Sequence, residues 1–366
     1  MKIFGNSKRA RHKKKEKRLK RWQRAAIAGA VLLILGTATY TVARGFIRPP
    51  APPSGEDIFS GGAAHLPGEY DPEDAKLNND KYAPEGVTDD DRNDKKLTFL
   101  VIGVDDGSNT DTIMVVSYDS VTHAAHVIGI PRDSLVNVKR GNKKINAAYP
   151  SGSLRGGGVE GGVSQLQREV KTIIGFVPDF YLVVSMNAVV ELVDLVGGVV
   201  VDVPFRMRYD DPDQDLHVDI KKGDNQKLNG DNALKFARYR MGNDKRYTIS
   251  DYDRIKNQQT VINAFVREAI KPANLLKIPQ MISAALSNVH TNLSPGELVW
   301  IGAELEKAND TDNISFHTMP TKGSSGMPYW YEFLDAAAVL ELVNRTINPY
   351  DVEITADDVD IIDSVP

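Results

Sequence analysis

Between Leu97 and Ile130 the chain alternates short apolar runs with polar turns: LTFLVIGV at Leu97–Val104, TIMVVSY at Thr112–Tyr118 and HVIGI at His126–Ile130. Their length and β-branched content predict three sheet strands. The turns between them are too short for helical crossovers, so consecutive strands are expected to run antiparallel. The end of the first strand, the start of the second and the end of the third then share one edge. The polar residues at those places are Asp105, Asp111 and Pro131–Arg132–Asp133.

Beyond a Gly-rich stretch, helical spacing predicts helices over Val163–Ile174, Asn187–Val196, Asp231–Tyr239, Asp251–Ile270, Ile278–Leu286, Pro295–Lys307 and Tyr331–Asn344. Gly197–Gly198 closes the second of these, and Asp231 and Asp251 are expected as N-caps. Asp179–Ser185 and Val199–Val203 read as further strands. Strands and helices mixed in this order indicate a layered α/β domain.

A different pattern occupies the N-terminus. Ala25–Ala43 has neither charge nor proline, and nineteen residues at ~1.5 Å each roughly match the ~30 Å hydrocarbon core of a bilayer. We expect a basic cytoplasmic tail at 1–24, one membrane-spanning helix at 25–45, a disordered extracytoplasmic linker at 46–94, a catalytic domain at 95–350 and a tail at 351–366. The positive-inside rule sets the orientation, because Lys13–Lys14–Lys15, Arg18, Lys20, Arg21 and Arg24 lie directly before the apolar run. The run is long for the core of a cleaved signal peptide, and no small-x-small cleavage site precedes a plausible mature start. Placed against such a span, the basic cluster reads as a topogenic tail and not as a nucleic-acid patch. The linker starts with Pro49–Pro50–Ala51–Pro52–Pro53 and continues acidic and Gly/Asn-rich, the composition of a spacer.

Composition sharpens this division. Of 366 residues, 41% are hydrophobic and 26% charged, which is a globular balance. The net charge of -4 conceals an asymmetry: residues 1–24 hold twelve of the 45 Lys and Arg and only one acid, Glu16, leaving 33 basic against 48 acidic residues beyond them. The outer domain is therefore acidic. The chain has no cysteine, so thiol nucleophiles, thiolate metal sites and disulfides are excluded.

Two carboxylates at one sheet edge, Asp105 and Asp111, can share a hard cation such as Mg²⁺, which takes few protein ligands and fills its shell with water or phosphate oxygens. Asp in a hairpin turn is also common for purely local hydrogen bonding. Basic residues shift that balance. Arg132 lies at the same edge, Arg238 and Arg240 stand two apart at a helix end, and Arg254 and Gln258 are one turn apart beside the apolar stripe Ile255, Ile262, Phe265 and Val266. Four guanidiniums, one dication and two carboxylates would sum to +4, a site for a multiply charged anion. Gly156–Gly161 matches G-x-G-x-x-G but follows Tyr149–Pro150–Ser151–Gly152 and not a strand, so it is expected to be a loop. P-loop, H-E-x-x-H and G-x-S-x-G motifs are missing, and the seven histidines show no metal spacing.

In order along the chain, Gly103–Val104–Asp105, Thr110–Asp111–Thr112, Ile130–Pro131–Arg132–Asp133, Lys144–Ile145–Asn146–Ala147–Ala148–Tyr149, Val193–Asp194 with Gly197–Gly198–Val199, Arg238–Tyr239–Arg240 and Arg254 with Gln258–Gln259 resemble the LytR-CpsA-Psr family of cell-envelope transferases. The resemblance covers roughly residues 95–350. It implies an α/β/α fold with a central mixed sheet and an apolar pocket for a polyprenyl chain whose pyrophosphate lies at the mouth. It further implies transfer of a glycopolymer, such as teichoic acid or capsular polysaccharide, from polyprenyl pyrophosphate to a peptidoglycan hydroxyl. Asp105 and Asp111 match the Mg²⁺-binding carboxylates; Arg132, Arg238, Arg240, Arg254 and Gln258 match the pyrophosphate-binding groups. Asp133 is a candidate base, or a structural partner of Arg132.

Two positions depart from the pattern. Asn109 stands before Thr110–Asp111–Thr112 where the family has Arg-Ser-Asp-Thr, and Asn257 precedes Gln258 where it has Arg. Loss of two charges is expected to weaken catalysis at phosphate. It also leaves open a pyrophosphatase-type or purely lipid-binding envelope protein. A transcription regulator is disfavoured, since no helix-turn-helix is predicted and the motifs lie in an acidic domain expected outside the membrane.

Overall fold

The three apolar runs are strands of one sheet. In the computed structural model β1 (Lys96–Val104), β2 (Thr110–Asp119) and β3 (Ala125–Gly129) pair antiparallel in sequence order. The structure describes residues 47–52, 83–84, 86–105, 110–211, 216–243, 245, 247–307, 313–325 and 330–362. The tail expected at 1–24, the span expected at 25–45 and most of the expected linker lie outside the described residues. Among the described residues no helix is long and apolar enough to cross a membrane.

The remaining strands are β4 (Phe180–Ser185), β5 (Val199–Val203), β6 (Met207–Asp211), β7 (Leu216–Ile220), β8 (Gly223–Leu228), β9 (Val289–Thr291), β10 (Ile314–Thr318), β11 (Thr321–Ser325) and β12 (Tyr331–Leu334). The helices are α1 (Ala148–Gly152), α2 (Gly158–Ile174), α3 (Met186–Leu195), α4 (Gly230–Arg238), α5 (Asp251–Ala269), α6 (Pro272–Leu275), α7 (Ile278–Asn288), α8 (Pro295–Lys307) and α9 (Ala336–Thr346). The six-stranded main sheet has the order β10-β3-β2-β1-β4-β9. β4 runs parallel to β1 and β10 parallel to β3, so the sheet is mixed.

Both faces of the sheet are covered, because side chains alternate across a strand. Leu100, Ile102, Ile113, Val115 and Ile128 point to one face and pack on Val163, Leu166, Val170 and Ile173 of α2 and on Val339 and Val343 of α9. Phe99 and Phe180 point to the other and meet Leu298, Trp300 and Ile301 of α8. A second core joins β5, β8, α4 and α5 through Val199, Val201, Phe236, Val261 and Ala264. The long helix α5 links the two: its first turns reach the sheet rim and its later turns enter the second core. Gly129 permits this approach, since a Cβ there would stand 2.5 Å from Ile255 Cγ2. Gln258 donates to the Asp111 carbonyl at 3.4 Å and Gln259 to the His317 carbonyl at 2.7 Å, tying α5 to β2 and β10.

Several expectations need correction. The Gly-rich stretch is helical: Ser153–Gly157 is a π-helical turn and α2 begins at Gly158. Glycines serve packing here, because a Cβ on Gly152 would lie 2.1 Å from the Gly161 carbonyl oxygen. Tyr331–Leu334 pairs with β11 as a strand, and the helix starts only after the Asp335 cap. Asn229 and Ser250 are the caps of α4 and α5, with Asp231 and Asp251 in the first turns, where the helix dipole favours acids. Packing also runs past the boundaries expected at 95 and 350. Arg92 meets buried Asp179 at 2.7 Å, and Ile354 and Val359 are buried in the main core.

His126 and His317 face each other across β3 and β10 with ring centroids 5.8 Å apart. His126 Nδ1 and His317 Nε2 are buried without a hydrogen-bond partner. Burial lowers both pKa values; the charge of His317 adds to this at His126, and that of Arg345 adds to it at both rings. A folded-state pKa below the unfolded value of about 6.5 means that acid favours the unfolded chain. Stability is therefore expected to be complete above about pH 6.5 and to fall as pH drops through the lowered values. Thermal unfolding between pH 7.5 and 5 checks this: the double variant His126→Gln, His317→Gln should lose less Tm on acidification than the parent, and an equal loss would refute it.

Candidate anion-binding active site

All seven residues singled out by spacing line one cavity of about 490 Å³: Asp105, Asp111, Arg132, Arg238, Arg240, Arg254 and Gln258. Strand register explains the acids. Gly103 pairs with Thr112 and Val104 with Thr110, which leaves Asp111 as the extra residue of a β-bulge. A bulge re-aims a side chain at a strand end, and here it turns Asp111 toward Arg132. Arg132 Nη1 lies 2.5 Å from Asp111 Oδ1, and Arg254 Nη1 lies 4.0 Å from the same oxygen.

Arg254 is almost fully buried, with 3% of its side chain exposed. Burial pushes its pKa below the ordinary range; Asp251 and Asp111 oppose that push, while Arg132 and Arg240 add to it. The first turn of a helix is also a poor place for a cation. Asp251 compensates: its Oδ1 lies 2.5 Å from Arg254 Nη2 and 3.9 Å from Arg132 Nε. Asp253, by contrast, is occupied in the capping box with Ser250.

Arg238 ends α4, and the extended backbone of Tyr239 sends Tyr239 into the second core while its neighbours on both sides reach the cavity. Asp194 fixes the start of that helix by accepting from the Gly230 backbone N–H at 2.8 Å. On the opposite wall Lys144 Nζ pairs with Asp133 Oδ1 at 3.0 Å, and the Asn146 N–H donates to the Arg132 carbonyl. Asp133 is thus a salt-bridged carboxylate between Lys144 and Arg132, whose Nε is 3.9 Å away.

A second cavity, of about 220 Å³, adjoins the first. Asp105, Asp111, Arg238 and Gln258 line both. The rest of its wall is nearly all apolar: Val101, Val104, Val184, Met186, Val189, Leu234, Ala237, Val261 and Ile262. A strongly cationic chamber therefore opens beside a greasy one.

Comparison with known proteins gives the same grouping. The LytR_cpsA_psr family model matches residues 69–348. The chain belongs to the LytR-CpsA-Psr family. The regulatory protein MsrR of Staphylococcus aureus is 28% identical over 240 residues, 64% of this chain and 67% of that protein. TagV of Bacillus subtilis, a polyisoprenyl-teichoic acid–peptidoglycan teichoic acid transferase, is 29% identical over 271 residues, 70% of this chain and 65% of TagV. The crystal structure of B. subtilis TagV superposes with a TM-score of 0.57 at 25% identity, covering 69% of this chain and 95% of that one.

For a LytR-CpsA-Psr chain the implied metal is Mg²⁺, and the donor set can be tested against it. Two carboxylates, Asp105 and Asp111, line the anion cavity, and among the described residues no group of three or more His, Cys, Asp or Glu is placed to hold a metal. Two carboxylates with the remaining ligands from phosphate and water suit Mg²⁺, whereas Zn²⁺ prefers nitrogen and sulfur. The residues fit.

The family departures fall differently. Asn109 lies outside the described residues. Asn257 lines neither cavity and donates instead to the Phe236 carbonyl of α4 at 3.4 Å. Sequence reasoning missed Asp251 as a counter-charge, Lys144 as the partner of Asp133, and Lys235, Tyr209 and Asn142 in the cavity wall. The i,i+3 spacing of Asp251 and Arg254 was the available signal for the first. Asp251→Ala would leave Arg254 buried with its nearest counter-charge removed. A loss of about 3 kcal/mol in urea unfolding is expected, and a loss under 1 kcal/mol would show the pair to be dispensable.

Proposed function

We propose that this chain transfers an anionic glycopolymer, of teichoic acid or capsular polysaccharide type, from polyprenyl pyrophosphate to a hydroxyl of peptidoglycan, with Mg²⁺ bound by Asp105 and Asp111. Membership of the family and similarity to TagV support cell-wall glycopolymer transfer at the level of the family. The observation that carries the finer reading is the shared wall of the two cavities: Asp105, Asp111, Arg238 and Gln258 stand where a diphosphate would join an apolar chain.

The chemistry then follows from charge. The acceptor oxygen attacks the phosphorus that bears the glycan, the bond from that phosphorus to the bridging oxygen breaks, and polyprenyl phosphate departs with the acceptor's proton. Negative charge grows on the bridging oxygen. Arg132, Arg238, Arg240 and Arg254 supply fixed positive charge around it, and Gln258 a neutral donor, already oriented before the substrate arrives. Mg²⁺, when bound, would neutralise phosphate oxygens. The apolar cavity holds the lipid and so positions the diphosphate, converting binding energy into orientation. Asp133, bound to Lys144, orients Arg132 and the wall.

The same reading places the domain outside the cytoplasmic membrane, anchored by Ala25–Ala43, where polyprenyl-linked polymer and peptidoglycan meet. Protease added to intact cells should then degrade the domain; full protection would contradict this topology.

A transfer assay with a synthetic lipid-linked donor and peptidoglycan fragments tests the activity. Glycan should pass to the fragment in step with release of polyprenyl phosphate, and EDTA should stop it, with Mg²⁺ restoring it. Asp105→Ala, Arg132→Ala and Arg254→Ala should each lower turnover at least about 100-fold. Release of phosphate without transfer would instead favour a pyrophosphatase, and binding without either reaction a lipid-binding protein.

A further inference from the structure

With the Mg²⁺ proposed above, the anion cavity holds more positive charge than a diphosphate diester requires. Arg132, Arg238, Arg240, Arg254, Lys144 and Lys235 line it against Asp105, Asp111 and Asp133, and Asp251 stands 2.5 Å from Arg254, a balance of +2 before any metal binds. Lys144 is matched by Asp133. A diphosphate diester brings two negative charges and the proposed Mg²⁺ two positive ones, so positive charge remains; with the four arginines given to the diphosphate and Lys144 to Asp133, Lys235 is the cation left over. Its partner Asp231, 2.7 Å away, is an exposed carboxylate that does not line the cavity. Such i,i+4 surface pairs contribute little and exchange readily for another anion.

The position of Lys235 on α4 indicates which anion it meets. Leu234 and Ala237 line the apolar cavity, Lys235 lines the charged one, and Arg238 lines both. The helix thus separates the two halves of a lipid-linked substrate. With the lipid on the Leu234 side and the diphosphate at Arg238, the chain beyond the diphosphate leaves on the Lys235 side. There the β6–β7 hairpin presents Tyr209 and Val218, direct cross-strand partners, to the same cavity. The Tyr209 ring, whose hydroxyl donates to Asp211 at 2.9 Å, can receive the C–H face of a sugar, and an ammonium can receive its charged substituent.

We infer that Lys235 and Tyr209 form a donor-glycan subsite for a sugar carrying an anionic group, phosphate or carboxylate, close to the diphosphate. This rests on the cavity being the diphosphate site. Lys235 is a specificity residue in this account and takes no part in bond breaking.

The full-length protein in detergent micelles can be tested with three synthetic polyprenyl diphosphate donors: one with a neutral disaccharide, one with the same disaccharide phosphorylated, and one with a uronate in its place. Equilibrium binding by competition and the KM for transfer are both read. The parent should prefer at least one anionic donor by about tenfold, and the one preferred identifies the substituent. Lys235→Gln should abolish that preference through KM with kcat within about twofold, Lys235→Arg should keep it, and Tyr209→Ala should weaken every donor. Equal binding of all three donors by the parent, or a preference that survives Lys235→Gln, overturns the inference. The parent comparison stands even if a variant fails to fold. Preferential binding without transfer would remove the transferase reading and keep the subsite; transfer without preference would do the reverse.

Discussion

Gathering four guanidinium groups around one cavity is unfavourable in the absence of a ligand, and the local structure is arranged around offsetting that repulsion. Asp111 takes Arg132 at 2.5 Å, Asp251 takes Arg254 at 2.5 Å and stands 3.9 Å from Arg132, and Asp133 takes Lys144. Each acid comes from a different constraint: a β-bulge, a helix first turn and the loop after β3. The repulsion that remains is visible in the lowered pKa of Arg254, to which Arg132 and Arg240 contribute after burial. A polyanion that relieved it would meet a site whose geometry is already built, inside a domain that is acidic overall.

Packing sets this geometry more than the charges do. The rim of the main sheet carries the acids, while the arginines of α4 and α5 arrive with the second core. Gly129 lets α5 approach the rim, and Gln258 and Gln259 fix it there with hydrogen bonds to two separate strands. The apolar cavity is the gap left between those two cores, and this is why it opens beside the charged one.

Much of this could be read in the chain. Antiparallel pairing of β1, β2 and β3 followed from turns too short for crossovers, and it brought Asp105, Asp111 and Arg132 to one rim without further information. Helical spacing put Arg254 and Gln258 on one face, and buried Tyr239 between Arg238 and Arg240 has the two-residue period of extended backbone. The elements that escaped are polar or short. MRYDD and GDNQKL carry too few apolar residues to read as strands, and LHVDI, although it alternates, is a short run set among charged residues, so Tyr209 and the wall it forms were invisible. The bulge at Asp111 and the pairing of Asp133 with Lys144 depend on register and on contacts far apart in sequence, which periodicity does not encode. The Gly-rich stretch misled for a related reason: its glycines serve close packing of α1 against α2, a tertiary cause that overrides the propensity of glycine for loops.

The central claim is that the charged and apolar cavities form one site for a single amphiphilic diphosphate. A crystal structure of the full chain with Mg²⁺ and a short-chain polyprenyl diphosphate tests it most directly. The account places the diphosphate among Arg132, Arg238, Arg240 and Arg254 and the isoprenoid chain between Val184 and Leu234. A diphosphate bound elsewhere, or a lipid chain running out to solvent with the apolar cavity empty, would contradict it.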